Sequence, residues 1–314
     1  MKKIISKVLS FVLIVFCECS SVFGMMPKEF YEEVSRICEM TPGISKEREE
    51  VLRYFLHMAK IPWTSKHNML YWNSKYGYVY KENCDYQGIP YTQLERYTSL
   101  GRFLENLKNE NGKIVYNGPY ENGSYLGTDC SWAVTLAWSE IVDRNFNLND
   151  THDMFIHLKN GALGEDSGGI VWVGNYKIKG EENSTKEVIE NNGEEVIFNA
   201  YQSLKPGDVL LKNTCNPITG KFTGHTMMVE YVDPKDEFVL IAEQTGVNNE
   251  GVLEGNGVSS WRVDIKMSFK DLYDKGYIPV GNKKLISFDN DKSESKMIFV
   301  DDTFNSYANN NINP

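Results

Sequence analysis

The sequence lacks several features that would assign it at once to a class of protein. Its 33 lysine and arginine residues are outnumbered by 43 aspartate and glutamate residues, which leaves a net charge of −10. This deficit of positive charge argues against nucleic acid and anionic membrane surfaces as partners. No cysteine and histidine residues have the spacing of zinc ligands, and we expect no cofactor. The chain also has no internal repeat.

Long hydrophobic runs are missing too. The apolar run at residues 8–16 is too short to span a membrane as a stable anchor. It follows Lys2, Lys3 and Lys7 and precedes Gly24, an arrangement typical of a secretory signal peptide. We therefore expect residues 1–24 to be removed. The mature protein would be secreted, extracellular or associated with the cell wall, with no integral membrane segment.

Cysteine is scarce beyond residue 24, where Cys38, Cys84, Cys130 and Cys215 remain. In an exported protein, the usual expectation for four cysteines is two disulfides. Their spacing forms no dense framework, however, and a chain of this length can bury a core without cross-links. The sequence therefore leaves the disulfide state open, including that of Cys130.

The stretch at residues 127–138 carries the most chemical information. Asp129 is a good N-cap residue, and the apolar residues after it repeat at the three- and four-residue spacing of a helix that begins at Cys130. A helix N-terminus carries partial positive charge, which favours a reactive thiolate. The stretch alone fits a small buried core cysteine equally well.

A nucleophilic cysteine needs a base, and His225 is the candidate because it begins a predicted strand directly after Gly224. A third polar group must orient the imidazole. The next predicted strand ends at Glu243 and Gln244, whose side chains point to opposite faces because strand side chains alternate. One of the two can orient His225, but not both.

An amide hydrolase also needs donors for the oxyanion of its tetrahedral intermediate. The backbone N–H of Cys130 at the predicted helix start is one candidate, and the hydroxyl of Tyr91 is another. We also assign Asp129, next to the cysteine, to this substrate-binding and oxyanion region.

Helical patterns come first in the chain and strand patterns later. Two helices are predicted within residues 28–60, interrupted at residues 41–43, and β-rich runs follow at residues 196–200, 208–212, 226–232, 237–242 and 261–265. This order predicts an α+β fold with the cysteine helix packed on an antiparallel sheet. The expected organisation is a signal peptide at 1–24, an N-terminal helical segment at 25–70, a catalytic domain at 71–286 and a polar, disordered tail at 287–314.

Four short stretches in this order resemble a known family. They are GIPY at residues 88–91, DCS at 129–131, KPGD at 205–208 and GH at 224–225. Together they resemble the NlpC-type cell-wall cysteine endopeptidases and their CHAP relatives, the cysteine- and histidine-dependent amidohydrolases and peptidases. The resemblance covers roughly residues 86–279.

The resemblance implies a papain-like fold, no metal, and hydrolysis of amide bonds in bacterial peptidoglycan peptides through an acyl-enzyme. Cys130 would be the nucleophile and His225 the general base. The CHAP pattern uses a glutamate in the third position, so the resemblance favours Glu243 over Gln244.

Two other functions remain compatible with the sequence. An exported peptide- or glycan-binding protein could keep the same scaffold without turnover, with Cys130 inert or in a disulfide. An acyltransferase could use the same cysteine and histidine, since it differs only in whether an amine or water resolves the acyl-enzyme.

Overall fold

The computed structural model describes residues 28–73, 77–246 and 260–290. The predicted signal peptide at residues 1–24 lies outside these ranges, as does most of the predicted tail. Within them, no helix has both the length and the apolar character that a membrane crossing requires.

The first two helices are the two expected from the sequence: α1 at Lys28–Glu39 and α2 at Lys46–Lys60. They are separated by a turn at residues 40–45 that contains Pro42 and Gly43. The α2 helix buries Val51, Phe55 and Met58, which recur at the spacing of one helical face.

Seven further helices follow along the described chain: α3 at Leu100–Glu105, α4 at Cys130–Ile141, α5 at Thr151–Ala162, α6 at Thr185–Asn192, α7 at Glu194–Gln202, α8 at Phe269–Lys275 and α9 at Lys283–Asn290. A short 3₁₀ turn occupies Glu121–Gly123.

Two small sheets are formed by the first half of the chain. Their strands are β1 at Pro62–Ser65, β2 at Met69–Leu70, β3 at Tyr78–Tyr80, β4 at Asp85–Gln87, β5 at Leu107–Glu110 and β6 at Lys113–Tyr116. The larger of the two has the order β4-β1-β6-β5, while β2 and β3 pair with each other. Its β1–β6 pair is parallel.

The main sheet comprises β7 at Ile170–Trp172, β8 at Val209–Cys215, β9 at Phe222–Asp233, β10 at Phe238–Gln244, β11 at Trp261–Ser268 and β12 at Ile278–Asn282. Its order is β11-β10-β9-β8-β12-β7, and all neighbouring strands are antiparallel. The α4 helix packs against β9 and β10 and also contacts α2. The predicted α+β class, with the cysteine helix on an antiparallel sheet, is confirmed.

One predicted strand is wrong. Residues 196–200 belong to α7, whose buried residues Ile197, Ala200 and Tyr201 recur at helical spacing. A short apolar run between turns fits either a strand or a buried helix by its pattern. Here the choice is set by packing of the helix between its neighbours, since α7 contacts α6, α8, β9 and β12.

The predicted division at residue 70 does not separate two structural units. One hydrophobic core includes residues from Phe30 in α1 to Leu285 in α9. Moreover, β1 lies in the predicted helical segment but pairs with β4 and β6 from the predicted catalytic domain. The N-terminal helices are therefore part of the same core as the main sheet.

The predicted tail also begins too early, because α9 continues through residue 290. Asp289 accepts a hydrogen bond from Arg48 Nε at 2.9 Å and another from Lys205 Nζ at 3.0 Å. The composition of residues 287–290 could not indicate these ion pairs, because the cationic partners of Asp289 are distant in sequence. Residues 291–314 of the predicted tail lie outside the described residues.

Arg48 also binds Asp208, the acidic residue of the KPGD stretch. Its Nη1 donates to Asp208 Oδ1 at 2.9 Å and to the Pro206 carbonyl at 3.0 Å. The backbone N–H of Lys205 donates to the other oxygen of Asp208 at 2.9 Å. Burial raises the pKa of Asp208, and the guanidinium opposes that shift. Asp208 therefore joins α2 to the start of β8.

Candidate active site

The N-terminus of α4 is built around Asp129. One oxygen of its carboxylate accepts hydrogen bonds from the Trp132 backbone N–H and the Ser131 hydroxyl, both at 2.9 Å. The other pairs with Arg96 Nη1 at 3.1 Å. Both oxygens of this buried side chain are therefore engaged in capping the helix and holding Arg96. Asp129 contributes to the predicted site by positioning Cys130 at the first helical residue.

Cys130 has a free, partly exposed thiol. The other cysteines of the described residues, Cys38, Cys84 and Cys215, are free as well, so no disulfide engages Cys130. Cys38 is buried instead, and burial raises its pKa to about 12. A thiol with such a high pKa is unreactive at neutral pH.

His225 lies on β9 between the thiol and a carboxylate. Its Nε2 forms a hydrogen bond with Glu243 Oε2. Burial alone would lower the pKa of His225, but negative charge on Cys130, a hydrogen bond with that residue and the contact with Glu243 outweigh this effect and raise the pKa to about 10. The imidazole is therefore held in its protonated form by groups on both sides.

Glu243 is held in turn by Arg262. The two residues are register partners on β10 and β11, and the Arg262 guanidinium forms an ion pair with Glu243 Oε1. Burial raises the pKa of Glu243, but His225 and Arg262 lower it by more, so the net pKa is below the usual value. The carboxylate is therefore charged at neutral pH and fixed by a cation at each oxygen.

Gln244 points to the other side of β10, as strand alternation requires. Its Nε2 donates to the Ile89 carbonyl at 2.8 Å, and the side chain is fully buried. Of the two candidates for orienting His225, the structure brings Glu243 to the imidazole and engages Gln244 with the GIPY stretch. Gln244 thereby supports the segment that carries Tyr91.

Tyr91 lies close to the thiol. Burial raises its pKa, and the negative charges of Cys130 and Asp129 raise it further, so the hydroxyl stays protonated at neutral pH. The hydroxyl accepts a hydrogen bond from Gln93 Nε2 at 3.0 Å, which leaves its own proton available to a ligand. This placement is compatible with the predicted role as an oxyanion donor.

Sequence reasoning missed four residues around this site: Arg96, Lys212, Arg262 and Tyr277. Burial raises the pKa of Tyr277, and the charges of Glu243 and Cys130 raise it further. Lys212 Nζ lies 5.8 Å from the centroid of the Tyr277 ring. Only strand register and helix packing bring these residues together, and no local pattern in the sequence marks them.

Close packing against α5 and β8 requires a glycine before His225. A Cβ at Gly224 would lie 2.1 Å from Thr151 Oγ1 and 2.4 Å from the Lys212 carbonyl. Both distances are far below van der Waals contact. The N-terminus of α5 can approach β9 beside the histidine only because position 224 has no side chain.

Among the described residues, no three His, Cys, Asp or Glu side chains form a group that could hold a metal ion. The arrangement of Cys130, His225 and Glu243 is that of a nucleophile, a proton carrier and a group that orients it.

Comparison with family models, with curated proteins and with solved structures gave no match to this chain.

Proposed function

We propose that this protein is an exported cysteine hydrolase of the papain-like type that cleaves amide bonds, with bacterial peptidoglycan peptides as the substrate. One observation carries the catalytic part of the proposal: His225 contacts both Cys130 and Glu243. The free thiol at the start of α4 supports it further. The peptidoglycan substrate and the papain-like fold rest on the resemblance to the NlpC and CHAP families, and export rests on residues 1–24.

The proposed reaction begins with attack of the Cys130 sulfur on the amide carbonyl. The Cys130 N–H and the Tyr91 hydroxyl stabilise the resulting oxyanion. His225 then donates its proton to the leaving amine, and an acyl-enzyme remains. In the second half, His225 accepts a proton from water as water attacks the acyl group, and the thiolate is released. Glu243 keeps the imidazole oriented through both halves.

The first test is the pH dependence of Cys130 alkylation by iodoacetamide, measured by peptide mass spectrometry. The raised pKa of His225 keeps a positive charge beside Cys130 throughout the neutral range, and cysteines next to an imidazolium are generally more reactive. We therefore expect rapid labelling of the wild-type protein below pH 7. In His225→Ala, labelling should slow about tenfold for each pH unit below ~8.5, as for an ordinary thiol.

Cys84 and Cys215 provide internal references, because both are free and partly exposed. Their labelling should follow the same profile in both proteins. Equal pH profiles for Cys130 with and without His225 would contradict the proposed pair and favour a binding protein on this scaffold.

Glu243→Gln should lower kcat by about 10²- to 10⁴-fold, because the neutral amide cannot stabilise the charge of the imidazolium and loses the ion pair with Arg262 that fixes the side chain. Glu230→Gln is the matched control. Glu230 is a fully buried glutamate on β9, and burial and the nearby Asp264 charge raise its pKa to about 8, so it is largely neutral already. Its variant should retain wild-type turnover of peptidoglycan fragments. Comparable losses in the two variants would show that Glu243 acts only through stability.

A further inference from the structure

A row of polar side chains crosses the main sheet on the face that carries His225. Lys212 on β8 is the register partner of His225 on β9. Directly paired residues of antiparallel strands project to the same face with Cβ atoms about 5 Å apart. Tyr277 immediately precedes β12, the neighbour of β8 on the far side, and its ring lies against Lys212. Lys212 and Tyr277 therefore flank His225 on the side away from Glu243.

The cations around the site differ in their partners. Arg96 pairs with Asp129, and Arg262 pairs with Glu243. Lys212 lies beside the Tyr277 ring but forms no ion pair with a carboxylate in the part of the chain that the structure describes. It is thus a positive charge on the strand beside His225 that no described acidic side chain neutralises.

Lys212 adds a second positive charge beside that of His225. Lys212 is the register partner of His225, which is itself protonated, and like charges on paired strand residues repel. The chain as a whole carries an excess of negative charge, so acidic partners are abundant elsewhere. Contact with the aromatic face of Tyr277 restrains the lysine stem while the N–H donors remain available. An anion brought by the substrate would relieve the repulsion.

We propose that Lys212, held against Tyr277, binds a carboxylate of the substrate close to the scissile amide. This inference rests on the proposed function and narrows it: the preferred substrates are peptides or other amides that carry a free carboxylate near the cleaved bond. An ammonium binds a carboxylate as a point charge with several rotatable donors, which suits a small, mobile acid group.

The test compares two alkylating reagents of nearly the same shape. Iodoacetate carries a carboxylate beside its reacting carbon, whereas iodoacetamide carries a neutral amide at the same position. The ratio of the iodoacetate rate constant to the iodoacetamide rate constant at Cys130 reports on cations near the sulfur. Both second-order rate constants are measured by peptide mass spectrometry at pH 7. In Lys212→Met this ratio should fall about five- to tenfold relative to wild type, as expected for loss of one charge several ångström away.

Lys266→Met is the matched control. Lys266 is also a strand lysine whose Nζ lies over an aromatic ring, 3.8 Å from the centroid of Phe238. It lies on β11 opposite Leu240, toward the end of the strand away from Arg262. The reagent ratio in this variant should equal the wild-type ratio. A ratio in Lys212→Met that also stays at the wild-type value would overturn the carboxylate subsite.

A second experiment does not depend on a reactive thiol. Peptidoglycan stem peptides with free carboxyl groups, and the same peptides after carboxyl amidation, are titrated by calorimetry into Cys130→Ala with Lys212 intact or replaced by Met. We expect about tenfold tighter binding of the free acids, and loss of that preference without Lys212. Equal affinities, or no binding, would refute the subsite whatever the turnover.

The two experiments separate the subsite from the hydrolase. If neither reagent labels Cys130, the catalytic pair fails, and the calorimetric preference alone then decides the subsite. If Cys130 labels rapidly but its reagent ratio is insensitive to Lys212, the hydrolase stands and the subsite falls.

Discussion

Cys130→Ala should reduce hydrolysis of peptidoglycan fragments by at least about 10³-fold, because the proposed nucleophile is lost while the proposed oxyanion donors and His225 remain. Its unfolding free energy should change by less than about 1 kcal/mol, since the thiol is partly exposed at the first residue of α4. Released peptides are quantified by chromatography, and stability is measured by urea denaturation followed by circular dichroism.

Cys215→Ala is the matched control for this experiment. Cys215 is also a free, partly exposed cysteine, at the end of β8. Its variant should keep wild-type turnover and stability. Turnover that survives in Cys130→Ala would refute the proposed mechanism. If neither the wild-type protein nor Cys130→Ala cleaves the fragments but both bind them, the scaffold serves binding without catalysis.

Arg48→Ala should lower the free energy of unfolding by about 3–5 kcal/mol, the range for breaking a buried ion pair from one side. The side chains of Arg48 and Asp208 are only 2% and 1% exposed. Removing the guanidinium would leave Asp208 buried without its ionic partner and would also release Asp289 on α9. Urea denaturation followed by circular dichroism measures the change.

Arg53→Ala on the same helix provides the comparison. Arg53 pairs with Glu49 and Glu50, and all three side chains are partly exposed. Partly exposed pairs within one helix contribute little, so this variant should lose about 1 kcal/mol or less. Similar losses in the two variants would show that the buried network is no more important than a surface pair. Adding Asp208→Ala to Arg48→Ala should recover part of the stability, because the uncompensated charge is then gone.

Local sequence signals predicted the helix at Cys130 well. Asp129 caps it through its carboxylate, and the apolar residues behind it are buried against the sheet. Alternating side chains and turn residues are local features, and they predicted β10 to within two residues of its observed bounds, whereas β9 begins at Phe222, four residues before the predicted start. Residues 196–200 were misassigned because their short apolar run is equally compatible with a buried helix, and the contacts of α7 decide between the two.

Alternation alone showed that Glu243 and Gln244 could not both face His225, but it could not show which one does. That choice depends on which face of β10 the α4 helix covers, a property of packing between distant segments. The same holds for Lys212 and Arg262. Their proximity to the site comes from strand register, and Lys212 and His225 are 13 residues apart across the β8–β9 hairpin.

The sequence by itself determined the α+β class and the helix start at Cys130. It also singled out Cys130 and His225 as the most informative candidates for the functional site. These depend on capping, periodicity and residue chemistry, which act within a few positions of the chain. The tertiary structure alone decided the role of Gln244 in holding Ile89, the binding of Asp289 by Arg48 and the lysine beside the imidazole. Each of these is a contact across strands or between distant segments, and such contacts are set by burial and register rather than by any local pattern.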